Sequence, residues 1–126
     1  MYALLINGSP HAAGCTFTAL AEVAKTLEEN GIETEILHIG NRNIRGCVAC
    51  GSCRKTGKCV FDDIVNETSA KLEKADAVVV GSPVYYASPA VTLISFLDRL
   101  FYSTSAVDKR MKVGASVVSC RRVGNS

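Results

Sequence analysis

Two runs without a polar side chain, Ala3-Leu4-Leu5-Ile6 and Ala77-Val78-Val79-Val80, constrain this chain more than any other feature. Each has the length of a strand, and unbroken apolar character marks a strand buried on both faces, as in a parallel sheet. Asn7-Gly8-Ser9-Pro10 stops the first run and Gly81-Ser82-Pro83 follows the second, so both end in turn residues. Between them the period changes. From Thr16 to Asn30 the apolar positions Phe17, Leu20, Ala24 and Leu27 recur at helical spacing, with Gly31 placed to end the helix. Residues 32–39 start with alternation and read as a second strand. Asp62 and Asp63 start a helix whose apolar face is Val65, Thr68, Leu72 and Ala75. Pro89 suits the first turn of a further helix to about Tyr102, with the stripe Ile94, Leu97, Leu100 and Phe101. Residues 112–119 form a fourth strand and 120–126 a loop.

The order β-α-β-loop-α-β-α-β is that of an α/β protein with a parallel sheet and helices on both faces. Such sheets bind ligands outside the carboxyl ends of their strands, where the strand order reverses. The loops at those ends are residues 7–15, 82–88 and 119–126, all carrying small polar side chains.

A length of 126 residues supports one domain, 1–126, with one core. The net charge of +2 argues for neither nucleic acid nor a membrane as a partner. No run approaches the ~20 apolar residues of a membrane span, and the apolar start lacks a basic leader. The expected location is therefore the cytoplasm, where clustered cysteines act as ligands or redox groups rather than disulfides.

Four of the six cysteines, Cys47, Cys50, Cys53 and Cys59, follow the spacing C-x2-C-x2-C-x5-C inside a stretch, 40–61, that has no helical or strand period. Thiolates at this spacing suit a metal centre, and a bound centre would order an otherwise long loop. An iron–sulfur cluster, a structural zinc and metal-free cysteines all remain open on spacing alone. Arg54, Lys55 and Lys58 would partly offset an anionic centre. Cys15 and Cys120 stand at strand ends, as small filler or as redox groups. Asp98 and Arg99 read as a salt bridge without a chemical role.

The first loop, Gly8 to Thr16, joins a strand to a helix N-terminus, where free N–H groups and the helix dipole favour an anion. A Walker loop does not fit, because five residues separate the glycines and Cys15 replaces the lysine. Hydroxyls on Ser9, Thr16 and Thr18 with backbone amides suit a phosphate monoester. A tyrosine-phosphatase loop fails because position 21 is alanine, and no G-x-G-x-x-G is present. In the second loop, Tyr85 and Tyr86 beside Pro83 can wall a flat heteroaromatic ring.

Asn7-Gly8-Ser9-Pro10, the Cys47-to-Cys59 segment closing in Asp62-Asp63, Gly81 to Tyr86 and Phe96-Leu97-Asp98-Arg99 together resemble the NAD(P)H-dependent FMN reductases, and most closely their iron–sulfur flavoprotein branch. The resemblance implies a flavodoxin-like three-layer sandwich with parallel sheet order 2-1-3-4(-5), non-covalent FMN, and a homodimer or homotetramer. It assigns Ser9, His11, Cys15, Thr16, Phe17 and Thr18 to the FMN phosphate region, and Pro83, Val84, Tyr85 and Tyr86 to the isoalloxazine border. Ser119, Cys120, Arg121 and Gly124 would form a third flavin loop. Cys47, Cys50, Cys53 and Cys59 would hold a 4Fe-4S cluster. NAD(P)H would be the co-substrate, with a small molecule or protein as electron acceptor and no side chain needed as acid or base. A non-enzymatic FMN carrier, or a zinc-stabilised module binding another phosphorylated ligand, are the alternatives. Family members continue with another helix, a fifth strand and a closing helix. The expectation is therefore that 1–126 represents part of a protein, leaving apolar side chains of strands one, three and four facing water.

Overall fold

The computed structural model describes residues 1–122. It contains strands β1 (Tyr2–Asn7), β2 (Glu33–His38), β3 (Ala77–Pro83) and β4 (Val113–Ser119). Its helices are α1 (Cys15–Glu29), α2 (Ser52–Thr56), α3 (Ile64–Lys74) and α4 (Val91–Ser103). All three strand pairings are parallel and the order is β2-β1-β3-β4, as expected. Among the described residues, no helix is long and apolar enough to cross a membrane.

Alternation along β1 divides the core in two. Ala3 and Leu5 point to the face covered by α1, where they pack with Leu20, Ala24 and Val79. Leu4 and Ile6 point to the face covered by α3 and α4, among Val65, Leu72, Val78, Phe96 and Leu100. Both apolar runs are therefore sandwiched, which is why neither carries a polar residue. At the end of α1, Gly31 adopts φ +77°, and its N–H reaches Glu28 O at 3.0 Å. This left-handed position is one that glycine takes without steric cost. The Asp63 side chain caps α3 by accepting from the Val65 amide at 3.0 Å.

Four expectations change. β3 continues through Pro83 rather than stopping at Val80, because Gly81, Ser82 and Pro83 still pair with Val117, Val118 and Ser119. The buried face of α4 is Leu93, Phe96, Arg99, Leu100 and Ser103, while Ile94 and Phe101 are exposed. The stripe read from sequence was rotated because it counted apolar residues and passed over an arginine. The segment 40–61 is not featureless, since α2 lies inside it between Gly51 (φ 74°) and Gly57 (φ 73°). Finally, β1 is buried and β3 largely so, because helices already cover both faces; only β4 exposes apolar side chains, with Val113 65% and Val118 45% exposed.

The carboxyl ends of β1 and β3 approach closely. The Gly8 amide donates to Gly81 O at 2.8 Å, and a Cβ on Gly8 would stand 2.9 Å from that oxygen. A Cβ on Gly40 would lie 2.1 Å from Ser9 O, a backbone atom that cannot move aside alone. Gly40→Ala is therefore expected to destabilise the fold by about 3 kcal/mol, the upper range of overpacking. Urea unfolding of the variant checks this, and a cost below about 1 kcal/mol would contradict the packing described.

Candidate functional site

At the carboxyl edge of the sheet lies an open cleft of ≈ 400 Å³, within the range of small-molecule and cofactor sites. It is lined by Ser9, His11, Gly14, Cys15 and Thr16 from the first loop and α1, by Pro83, Val84 and Tyr85 after β3, and by Ser119, Cys120 and Arg121 after β4. Three loops far apart in sequence thus share one cavity. Phe17, Thr18 and Tyr86 do not line it: Phe17 is half-buried, Thr18 turns its hydroxyl to Gly14 O at 3.1 Å, and Tyr86 is exposed. Gly124 lies outside the described residues.

The first loop is held from beneath. Asn7 Oδ1 accepts from the Ser9 amide at 3.0 Å, and Ser9 Oγ accepts from the His11 amide at 3.2 Å. His38 Nε2 lies 2.7 Å from Ser9 O, so the end of β2 braces the same turn. The helix that follows is open at its start. Gly14 is the N-cap, no side chain caps α1, and no acidic residue sits in its first turn. The first amide to bond back is that of Thr18, to Gly14 O, so the amides of Cys15, Thr16 and Phe17 precede the helical ladder. A phosphate monoester fits such a start, which offers free donors and the positive end of a dipole. Thr16 Oγ1 and Ser119 Oγ, 2.8 Å apart, tie α1 to the end of β4 and close the side of the cleft.

A second cavity lies beside α4. Cys47, Cys50, Cys53 and Cys59 all line it, together with Val48, Val60, Phe61, Arg99 and Tyr102. Among the described residues, no three Cys, His, Asp or Glu side chains converge on a point where one metal ion could bind. A single tetrahedral zinc needs four sulfurs about 2.3 Å from one centre. The four cysteines share one cavity, and a set of four thiols is a donor set that suits an iron–sulfur centre as well as zinc. The Cys50 thiol is held below its ordinary pKa by the Ser52 hydroxyl and then the Ser52 amide, which favours its thiolate.

Arg99 enters this cavity from α4 with its side chain fully buried. It pairs with Asp63, Nη1 to Oδ2 at 2.7 Å and Nη2 to Oδ1 at 2.9 Å, rather than with the adjacent Asp98. Nη2 also donates to Phe61 O at 2.9 Å, Nη1 to Arg45 O at 3.3 Å, and Nε to Cys59 Sγ at 3.3 Å. Burial would lower its pKa, but the hydrogen bonds to Asp63 and Cys59 outweigh burial and hold it above the ordinary value. Of the basic residues expected to offset a centre, Arg54 donates to Tyr102 Oη at 2.8 Å, while Lys55 and Lys58 are exposed.

The family model described as NADPH-dependent FMN reductase matches residues 1–125. The chain belongs to that family. Among curated relatives, an iron–sulfur flavoprotein of Archaeoglobus fulgidus is 36% identical over 124 residues, covering 98% of this chain and 56% of the relative. Another, from Methanocaldococcus jannaschii, is 34% identical over 112 residues, covering 89% of this chain and 58% of the relative. The chain thus spans little more than half the length of these relatives. The fold is flavodoxin-like. It superimposes on an NAD(P)H:quinone oxidoreductase of Methanothermobacter marburgensis with a TM-score of 0.68 at 18% identity, covering 95% of this chain and 66% of that one. An FMN-dependent NADH-azoreductase of Bacillus anthracis, solved in complex with FMN, gives 0.64 at 10% identity, covering 100% and 72%.

Within this FMN reductase fold, sequence reasoning gave no site role to Asn7, His38 or Ser82, and it paired Arg99 with Asp98 instead of Asp63. Asn7-x-Ser9 is a recognisable Asx-turn pattern. Ser82 Oγ accepts from the Ala90 amide at 3.0 Å, closing the loop before α4. For Arg99 the local signal, adjacent Asp98, pointed to the wrong carboxylate, since its partner lies 36 positions away. Arg99→Ala is expected to destabilise the protein by about 2–3 kcal/mol, less than a fully buried pair would cost because the Asp63 side chain is 31% exposed. Thermal and urea unfolding check this; a loss under about 1 kcal/mol would show that the guanidinium does not make these hydrogen bonds in solution.

Proposed function

We propose that this chain is the FMN-binding part of a flavin-dependent oxidoreductase that also carries a 4Fe-4S cluster on Cys47, Cys50, Cys53 and Cys59. The observation that carries the reading is the juxtaposition of two cavities on one helix. The loop before α4 borders the first cleft, and Arg99 and Tyr102 near its far end line the cysteine cavity. FMN held in the first cleft would supply hydride and one-electron chemistry with a reduced nicotinamide as co-substrate, and a cluster on Cys47, Cys50, Cys53 and Cys59 would supply one-electron chemistry.

The residues present divide the work. The uncapped start of α1, with Ser9 and His11, would hold the FMN phosphate. Pro83, Val84 and Tyr85 would border the isoalloxazine ring, and Ser119, Cys120 and Arg121 would close its other side. Phe61, half-buried, would back the cysteine centre, with Val48 and Val60 at its solvent-facing rim. No side chain at either cavity is required as a general acid or base, because the cofactors supply the redox chemistry. The electron acceptor would be a small molecule or a protein, and the working unit a homodimer or homotetramer.

Two measurements test this reading. After anaerobic preparation the protein should contain about four irons per chain, and Cys50→Ser should remove them while leaving FMN bound. Stoichiometric zinc in place of iron would contradict the cluster assignment. NADH or NADPH should bleach the bound flavin's visible absorbance at a catalytic rate. Reduction by a protein donor with inert nicotinamides would instead make the chain an electron carrier.

A further inference from the structure

The five N–H donors of Arg99 are all used. Its guanidinium donates twice to the Asp63 carboxylate, to the carbonyls of Phe61 and Arg45, and through Nε to Cys59 Sγ. These acceptors come from both ends of the cysteine segment: Arg45 precedes Cys47, while Cys59, Phe61 and Asp63 close the segment. The guanidinium also lies 5.4 Å from the Phe61 ring centroid, with Arg45 stacked 4.0 Å from the same ring. One buried group on α4 therefore holds both ends of a loop that spacing alone left to a bound metal for its order.

We propose that Arg99 is a positioning residue for the cysteine centre: it holds the ligand loop in place before metal binds, and its N–H to Cys59 Sγ makes the loaded centre easier to reduce. The second half rests on the reading that the four cysteines hold an iron–sulfur cluster. Reduction adds negative charge to such a centre, and a cation donating to a ligand sulfur stabilises that charge. Asp63 moderates the effect from the other side of the guanidinium. The pair thus supplies a positive and a negative charge whose removal acts in opposite directions on the centre. A merely structural ion pair has no such antisymmetry, because losing either partner only loosens the loop.

The test uses three variants. Arg99→Gln removes the cation. Arg99→Lys keeps the charge but loses the planar fork that reaches several acceptors at once. Asp63→Asn removes the carboxylate while retaining an oxygen able to cap α3. The midpoint potential of the anaerobically loaded protein, followed by spectroscopically monitored redox titration, is expected to fall in Arg99→Gln, rise in Asp63→Asn, and stay closest to wild type in Arg99→Lys. In the metal-free protein, amide hydrogen exchange across residues 45–63 is expected to quicken at least ~10-fold in both Arg99 variants, about the effect of losing one charge-assisted hydrogen bond. Midpoints that move in the same direction, or not at all, overturn the tuning role. Exchange equal to wild type in Arg99→Gln overturns the positioning role. If Arg99→Gln does not fold, Asp63→Asn decides the first arm by itself, and a midpoint that fails to rise overturns tuning. Wild-type protein that takes up no iron refutes the cluster reading and the tuning with it, while the exchange arm still decides positioning.

Discussion

The fold depends on one close approach, that of the backbones leaving β1 and β3. Gly8 donates to Gly81 O at 2.8 Å, and neither side has room for a Cβ there. From that contact the chain diverges. After β1 it enters α1 on one face of the sheet, and after β3 it enters α4 on the other, so the strand order 2-1-3-4 reverses between them. A crevice opens where neighbouring loops part in this way. The cleft is thus a consequence of topology, and its polar lining is what the loops add.

α4 links this crevice to the cysteine segment. Ser82 fixes its start through the Ala90 amide, and Arg99 fixes its distal half to Asp63, Phe61, Arg45 and Cys59. Arg99 lies nine positions after Ala90, roughly 14 Å along a helix axis. A rigid element of that length sets the relation between the two cavities. A buried guanidinium with every donor satisfied also resolves a difficulty in the sequence, where a long aperiodic loop seemed to need a metal to order it.

Local signals carried most of the architecture. The apolar runs, the cap residues at Asp63 and Gly31, and the turn residues after β1 all act through neighbours in sequence, and each was legible there, whereas Gly81-Ser82-Pro83 continue β3 because β4 pairs beside them. The three loops that share the cleft were legible too, because parallel topology places them at one edge. What could not be read were contacts made across the fold. The rotated face of α4 is the plainest case: Arg99 is buried only because Asp63 and three other acceptors, 36 to 54 positions away, are there to receive it. Likewise His38 meets Ser9 because β2 pairs beside β1, not through any local pattern. The four cysteines are a middle case, for their spacing grouped them and they line one cavity, yet no three described ligand side chains meet at a single point.

The central claim is that the mouth of this sheet holds a flavin mononucleotide at the uncapped start of α1. Titration of the purified protein with FMN, followed by flavin fluorescence, tests it most directly. Saturable quenching at one FMN per chain, competed by inorganic phosphate and weakened when the α1 start is blocked by Gly14→Asp, is the result expected. Fluorescence that stays at the value of free FMN throughout the titration would contradict it.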